Sequence, residues 1–326
     1  MATNKSCDRG EFDWGIYKKA LRRLTPAQEE ALGGGRLRPL LDYVLAEPEV
    51  RFDIRPNAAN IYYDGGSLLQ LKNGTRRPFT GTFSRGYIGE KGYDESLLDC
   101  LAASEFEVRG FEKRRRQMRE HDGEGYKRAE RRIQQFIARA NGGQSLAEAA
   151  DFIVIDIEYA NARRKFDLVL FDCSQLPRPR LIFCELKCRS GALKGIAGLQ
   201  RHGADFGDFL RAGGGRHVEL CKREYAGVIG QKQRLGLLSA DLGFEEFSDE
   251  QPQFLVLFAD YDVCRNELRT PLAGLRAEVE QRLGNLELLK FAHFPKVDHG
   301  SKELLRLRRE QVMDSSEFDV YRKRAH

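Results

Sequence analysis

Three residues near the middle of the chain have the types and spacing for chemistry: Asp167, Glu185 and Lys187, within the stretch FDLVLFDCSQLPRPRLIFCELKCR from Phe166 to Arg189. Two apolar runs flank a loop that holds Pro177 and Pro179, which predicts a β-hairpin folded about residue 176. Folded there, Asp167 stands directly across from Glu185, and opposed side chains on neighbouring strands are only about 4.5 to 5.5 Å apart. Two carboxylates so placed repel each other. A divalent cation removes the repulsion, and an all-oxygen donor set suits Mg2+ or Mn2+ better than zinc. Lys187 follows Glu185 by two positions and so shares its face of the strand. From there it can touch an attacking water and a phosphate oxygen. Phosphodiester hydrolysis needs an activated water, neutralisation of the charge that develops on phosphorus, and help for the leaving oxygen.

A second hairpin precedes this one. Phe152 to Tyr159 (FIVIDIEY) reads as a strand, and a turn centred between Ala162 and Arg163 leads it into the Asp167 strand. That turn sets Glu158 opposite Asp167, so Glu158, Asp167 and Glu185 form a row of three acids across neighbouring strands. Glu158 is expected as a further ligand to the metal or its water; the competing reading pairs it with Arg163 or Arg164. Asp172 shares the Asp167 strand but points to the other face and is expected to take no part.

An acid on one strand followed by E-x-K on the next resembles the signature of the PD-(D/E)XK nuclease superfamily. Asp167 takes the first position and Glu185-Leu186-Lys187 the second, with Phe166 where the family's name has proline. The likeness spans roughly Tyr126 to Phe258 and leaves the N-terminal third aside. It implies an α/β (α+β) fold with a restriction-endonuclease-like core, a mixed central sheet flanked by helices. It further implies a metal-dependent nuclease, a DNA endonuclease by expectation, with Mg2+ or Mn2+ on Asp167, Glu185 and Glu158, and Lys187 at the attacking water. Several branches of the superfamily place a glutamine beside the site on the following helix, which nominates Gln200. Glu130 matches the first-helix acid of some members, and the iron–sulfur clusters of others direct attention to Cys184, Cys188 and Cys221. By the same analogy the expected partner is nucleic acid, with a homodimer, a targeting or activating protein and a role in prokaryotic defence as further expectations. The alternative on this fold is a non-catalytic nucleic-acid-binding or assembly module.

Composition narrows the remaining choices. The 326 residues carry 54 Lys and Arg against 49 Asp and Glu, a net charge of +5 that mildly favours an anionic partner. Basic residues crowd Lys113 to Arg132, though Glu112, Glu120, Asp122, Glu124 and Glu130 lie among them, as on a solvated helix. Seven cysteines without a C-x-x-C pair suggest reduced thiols rather than a disulfide framework or a zinc ribbon. No P-loop or G-x-S-x-G pattern and no metal-spaced histidine pair occurs. Met1 to Arg9 is too polar for a secretory segment and no apolar run is long enough to span a bilayer, so a cytoplasmic protein without a membrane partner is expected.

Two units are expected. Residues 1–110 would form an N-terminal α+β unit of unassigned role: a helix opened by Thr25-Pro26 and Gln28, a second helix over Leu37 to Ala46, and strands within Arg51 to Leu71 joined at Asp64-Gly65-Gly66. Residues 111–326 would hold the nuclease-like unit. Helical segments run from about Asp94 to Ser104 and through the basic stretch to Asn141-Gly142-Gly143. After the three strands come helices over Leu193 to Leu210 and Glu219 to Leu238, and a central strand at Gln253 to Ala259. A helix from Thr270-Pro271 to Leu283 and an edge strand within Leu286 to Phe294 complete the order.

Overall fold

The protein is described by a computed structural model over residues 21–56, 58–74, 79–83, 125–143, 151–161, 164–188, 193–195, 198–296 and 305–324. Over these residues it is a mixed α+β fold with two sheets. The boundary expected near residue 110, the helix expected over Asp94 to Ser104 and the basic residues Lys113 to Arg119 lie outside the described residues.

The first sheet is introduced by α1 (Pro26–Gly33) and α2 (Arg38–Ala46). Thr25 and Gln28 cap α1 reciprocally, the predicted capping box, with the Thr25 hydroxyl accepting from the Gln28 amide and the Gln28 side chain from the Thr25 amide. Among the described residues, β1 (Val50–Arg55), β2 (Ala58–Tyr63), β3 (Gly66–Asn73) and β4 (Phe79–Phe83) form an antiparallel meander in chain order. The turn between β2 and β3 puts Asp64 at φ 47° and Gly65 at φ 82°, left-handed values that suit a tight hairpin. The strand β4 was not expected from the sequence.

The second sheet carries the candidate chemistry. Helix α3 (Gly125–Ala140) precedes β5 (Phe152–Asn161), β6 (Arg164–Asp172) and β7 (Leu181–Cys188), the antiparallel meander expected. After α4 (Leu199–Arg211) and α5 (Arg216–Arg234) the chain enters β8 (Gln253–Ala259), which pairs parallel to β7. Helix α6 (Arg269–Leu283) then crosses to β9 (Leu289–Phe294), parallel to β8 and at the edge. The described strand order is β5-β6-β7-β8-β9. A final helix, α7 (Ser315–Arg324), which the sequence did not suggest, lays Phe318 flat on Phe291 with ring centroids 4.6 Å apart.

Alternation on β7 divides the core. Leu181 and Phe183 join one apolar cluster with Phe206, Phe209 and Tyr225 of α4 and α5. Ile182, Cys184, Leu186 and Cys188 join another, with Ile133 and Ile137 of α3. Glu185 and Lys187 therefore share the α4 side of the sheet. Cys184 and Cys188 lie in one cluster and Cys221 in the other, so these thiols pack as small hydrophobes and do not converge on a cluster site.

The two sheets meet through buried charges. Arg51 of β1 grips Asp53 with two nitrogens, at 2.7 and 3.0 Å, and donates to the Ala138 and Val154 carbonyls. Lys232 of α5 reaches Asp53 and the Ile155 carbonyl, both at 2.7 Å. Arg55 pairs with Asp156 at 2.7 Å, and Asp156 also takes Arg22 at 2.9 Å and the Tyr225 hydroxyl at 2.7 Å. A register shift between Val154 and Asp156 frees β5 backbone groups for these cations. Burial alone would raise the Asp53 carboxyl, but Arg51 and Lys232 hold it down to about 2.

Candidate active site

The pairing of β6 with β7 keeps the register that a fold about residue 176 requires: Phe171 faces Leu181, Leu170 faces Ile182, Val169 faces Phe183 and Leu168 faces Cys184. One step further the same register brings Asp167 level with Glu185. There the regular ladder stops, and the Leu186 amide donates to Asp167 Oδ2 at 2.7 Å. A side-chain carboxylate thus takes a backbone donor at the point where the strands part, and the Asp167 carbonyl accepts from Gln134 Nε2 of α3 at 2.6 Å. Asp167 is held by its own strand's neighbour on one side and by a helix on the other.

Glu185 is 4% exposed and so is Lys187. Lys187 Nζ donates to Glu185 Oε1 at 2.8 Å, and His202 Nε2 of α4 lies 2.9 Å from the same oxygen. Burial alone would raise the Glu185 carboxyl, but the Lys187 charge and the His202 contact hold it below the usual carboxylate range. Asp167 goes the other way. Burial, and after it the neighbouring Glu185 charge, push its carboxyl well above the ordinary value, with the Leu186 amide opposing. Two neighbouring acids thus have opposite preferences for the proton, because the lysine pairs with Glu185. Glu130, on α3, belongs to the same electrostatic group: burial raises its carboxyl, Lys187 opposes, and Glu185 and Asp167 repel it.

Glu158 and Gln200 are not brought to this pair. The register does carry Glu158 level with Asp167, since Ile157 pairs with Leu168 and Tyr159 with Phe166. Yet Glu158 has φ 53°, a left-handed conformation costly for a side chain with a Cβ. Residues two apart on a strand normally share a face, but Ile157 and Leu168 belong to one cluster while Tyr159 and Phe166 belong to the other. The hairpin swivels at this level and turns Glu158 out to Arg131, 3.7 Å away, with both side chains about half exposed. Gln200 instead donates to Glu278 of α6 at 3.0 Å. Its position on α4 falls on the side of Gly203 and Gly207, where a Cβ would come within 2.6 Å of Leu275 and 2.7 Å of Arg282. That side faces α6; Leu199, His202, Phe206 and Phe209 face the sheet.

His202 is the site residue that the motif did not nominate. A sequence signal existed: a histidine within an apolar stripe of helical period, opposite two glycines four apart. Asp172 caps the turn after β6, accepting from the Ser174 amide at 2.8 Å and from Arg309 at 2.9 Å, at the far end of the strand from Asp167.

Among the described residues no group of three or more His, Cys, Asp and Glu side chains is placed to enclose a metal ion. The donor set at the site is two carboxylates, which fits a hard cation that keeps most of its shell for water and phosphate oxygens, as Mg2+ commonly does. No protein-family model, no curated protein and no solved structure matches this chain. Among the described residues no helix is long and apolar enough to cross a membrane.

Proposed function

We propose that this protein is a metal-dependent nuclease of the PD-(D/E)XK kind, hydrolysing phosphodiester bonds of DNA and cutting internally, within a restriction-endonuclease-like core formed by β5 to β9 and their helices. The observation that carries the reading is the meeting of Asp167 and Glu185 at the parting of β6 and β7, with Lys187 against Glu185 at 2.8 Å. In the join between the sheets each buried acid has two cationic partners, Asp53 with Arg51 and Lys232 and Asp156 with Arg55 and Arg22, whereas here two neighbouring carboxylates share one lysine, an imbalance that marks a candidate binding site.

Asp167 and Glu185 would hold the cation, Mg2+ or Mn2+, which when bound polarises the scissile phosphate and lowers the pKa of water. The chain's residues do the rest. The Leu186 amide fixes one Asp167 oxygen and leaves the other for the cation. Lys187 orients the attacking water and neutralises charge growing on the phosphate oxygens, and such stabilisation of developing charge usually contributes most to the rate. Glu130, close to both acids, would take up the proton released or order a second water.

Incubating the purified protein with plasmid, single-stranded DNA and RNA, with Mg2+ or with EDTA, tests the proposal. Cleavage of DNA that needs the cation is expected. Undiminished cleavage in EDTA would sink the metal mechanism, and RNA cut in preference to DNA would reassign the substrate.

A further inference from the structure

We infer that His202 is a positioning residue that keeps Glu185 oriented toward the cation while Lys187 turns to the attacking water. The inference rests on the nuclease reading above and adds to it a residue that the motif does not contain.

Lys187 has two tasks that compete. In the structure its ammonium is bound to Glu185 Oε1 at 2.8 Å. In the reaction it must face water and phosphate. Glu185 is 4% exposed, so a carboxylate abandoned by its lysine would sit buried with a lost partner. Leaving such a group unsatisfied is costly, the more so when it is charged. His202 Nε2 lies 2.9 Å from that same Oε1. Both groups converge on Oε1 instead of dividing between the two carboxylate oxygens. When Lys187 swings away, His202 is already in place on Oε1.

The helix is built to bring it there. Gly203 and Gly207 let α4 approach α6 so closely that a Cβ at either position would meet a neighbour at under 3 Å. Phe206 and Phe209, both fully buried, anchor the adjoining face on the sheet. The rotation of α4 about its axis is thereby fixed, and His202, which shares the Leu199 and Phe206 face, is aimed at β7. Among the described residues the buried His202 Nδ1 meets no hydrogen-bond partner. The ring also meets Oε1 off the direction that a hydrogen bond prefers, so there is scope for it to come into line when Lys187 departs.

The test measures Mn2+ affinity by electron paramagnetic resonance and the Mg2+ dependence of DNA cleavage for the full-length wild type, His202→Ala and His202→Gln. Residues that orient a metal ligand typically contribute 10- to 100-fold to metal affinity or activity. His202→Ala should therefore weaken Mn2+ binding and raise the half-saturating Mg2+ by about 10-fold or more, with KM for DNA unchanged. His202→Gln, whose amide nitrogen can reach the same oxygen, should restore most of the loss. Wild-type metal dependence in His202→Ala overturns the inference. So does an equal loss in both variants that tracks a lowered melting temperature, since that marks a merely structural residue. A wild type that neither binds Mn2+ nor cleaves fails before any variant is compared, which overturns the nuclease reading and this inference with it.

Discussion

The Leu186 amide donates to Asp167 Oδ2 at 2.7 Å, with Asp167 one position and Leu186 two positions beyond Leu168 and Cys184, the last regular pair of β6 and β7. On the proposed nuclease reading Asp167 has two separable functions, one structural through its oxygen and one chemical through its charge. Asp167→Asn keeps an oxygen for the amide and removes the charge. It should abolish cleavage with a melting temperature close to wild type. Asp167→Ala also strands the amide and should lose a further ~1–3 kcal/mol in urea denaturation. Near wild-type cleavage by Asp167→Asn would place the active site elsewhere.

On the same reading Lys187 acts on the reaction more than on the cation. Lys187→Ala should lower kcat by about 10²–10³, the usual worth of a donor placed at developing charge, while Mn2+ binding persists. Single-turnover cleavage beside a Mn2+ titration separates the two effects. If metal binding and cleavage fall together, the lysine serves chiefly to hold Glu185.

Glu158 and Asp172 both flank the site in sequence, and neither reaches it. Glu158→Gln gives up an exposed ion pair with Arg131, worth about 0–1 kcal/mol, and should leave the Mg2+ dependence as it is. Asp172→Asn should likewise spare catalysis, at a cost of no more than about 0.5–2 kcal/mol for a weakened cap. A strong rise in the Mg2+ requirement of Glu158→Gln would show that its side chain swings inward when the cation binds.

Acid stability should report the buried join between the sheets. The Asp53 carboxyl is depressed from 3.8 to about 2, because Arg51 and Lys232 overcome the opposing effect of burial. A depressed acid stabilises the fold above its unfolded value and loses that contribution as pH falls through the folded one. Urea midpoints should thus drop between about pH 4 and pH 2, by an amount on the order of 2 kcal/mol from this residue. Asp53→Asn should flatten that dependence and lower stability at neutral pH by about 3–5 kcal/mol, because Arg51 and Lys232 are left buried without a counter-charge. A mutant as acid-sensitive as wild type would assign the loss to other carboxylates.

The hairpin at residue 176 was legible because prolines mark the loop and apolar runs mark the strands, and once the turn is located the level of every facing pair follows, Asp167 with Glu185 included. The swivel at Glu158 was not legible, since a left-handed φ at a glutamate leaves no mark in residue type. The join between the sheets was also hidden. Arg51, Asp53 and Arg55 alternate with Phe52 and Ile54 as on a strand with one wet face, but the charged face is covered by β5 and α5. Gln200 was nominated by its distance from Lys187 along the chain. The rotation of α4, which depends on what Gly203 and Gly207 pack against, selects His202 instead.

The central claim is that Asp167 and Glu185 together hold one divalent cation, and a Mn2+ titration followed by electron paramagnetic resonance tests it most directly. The wild type should bind Mn2+ at one site, and Asp167→Asn and Glu185→Gln should each lose that site while circular dichroism stays unchanged. Binding that is absent from the wild type, or undiminished in both variants, would contradict the account.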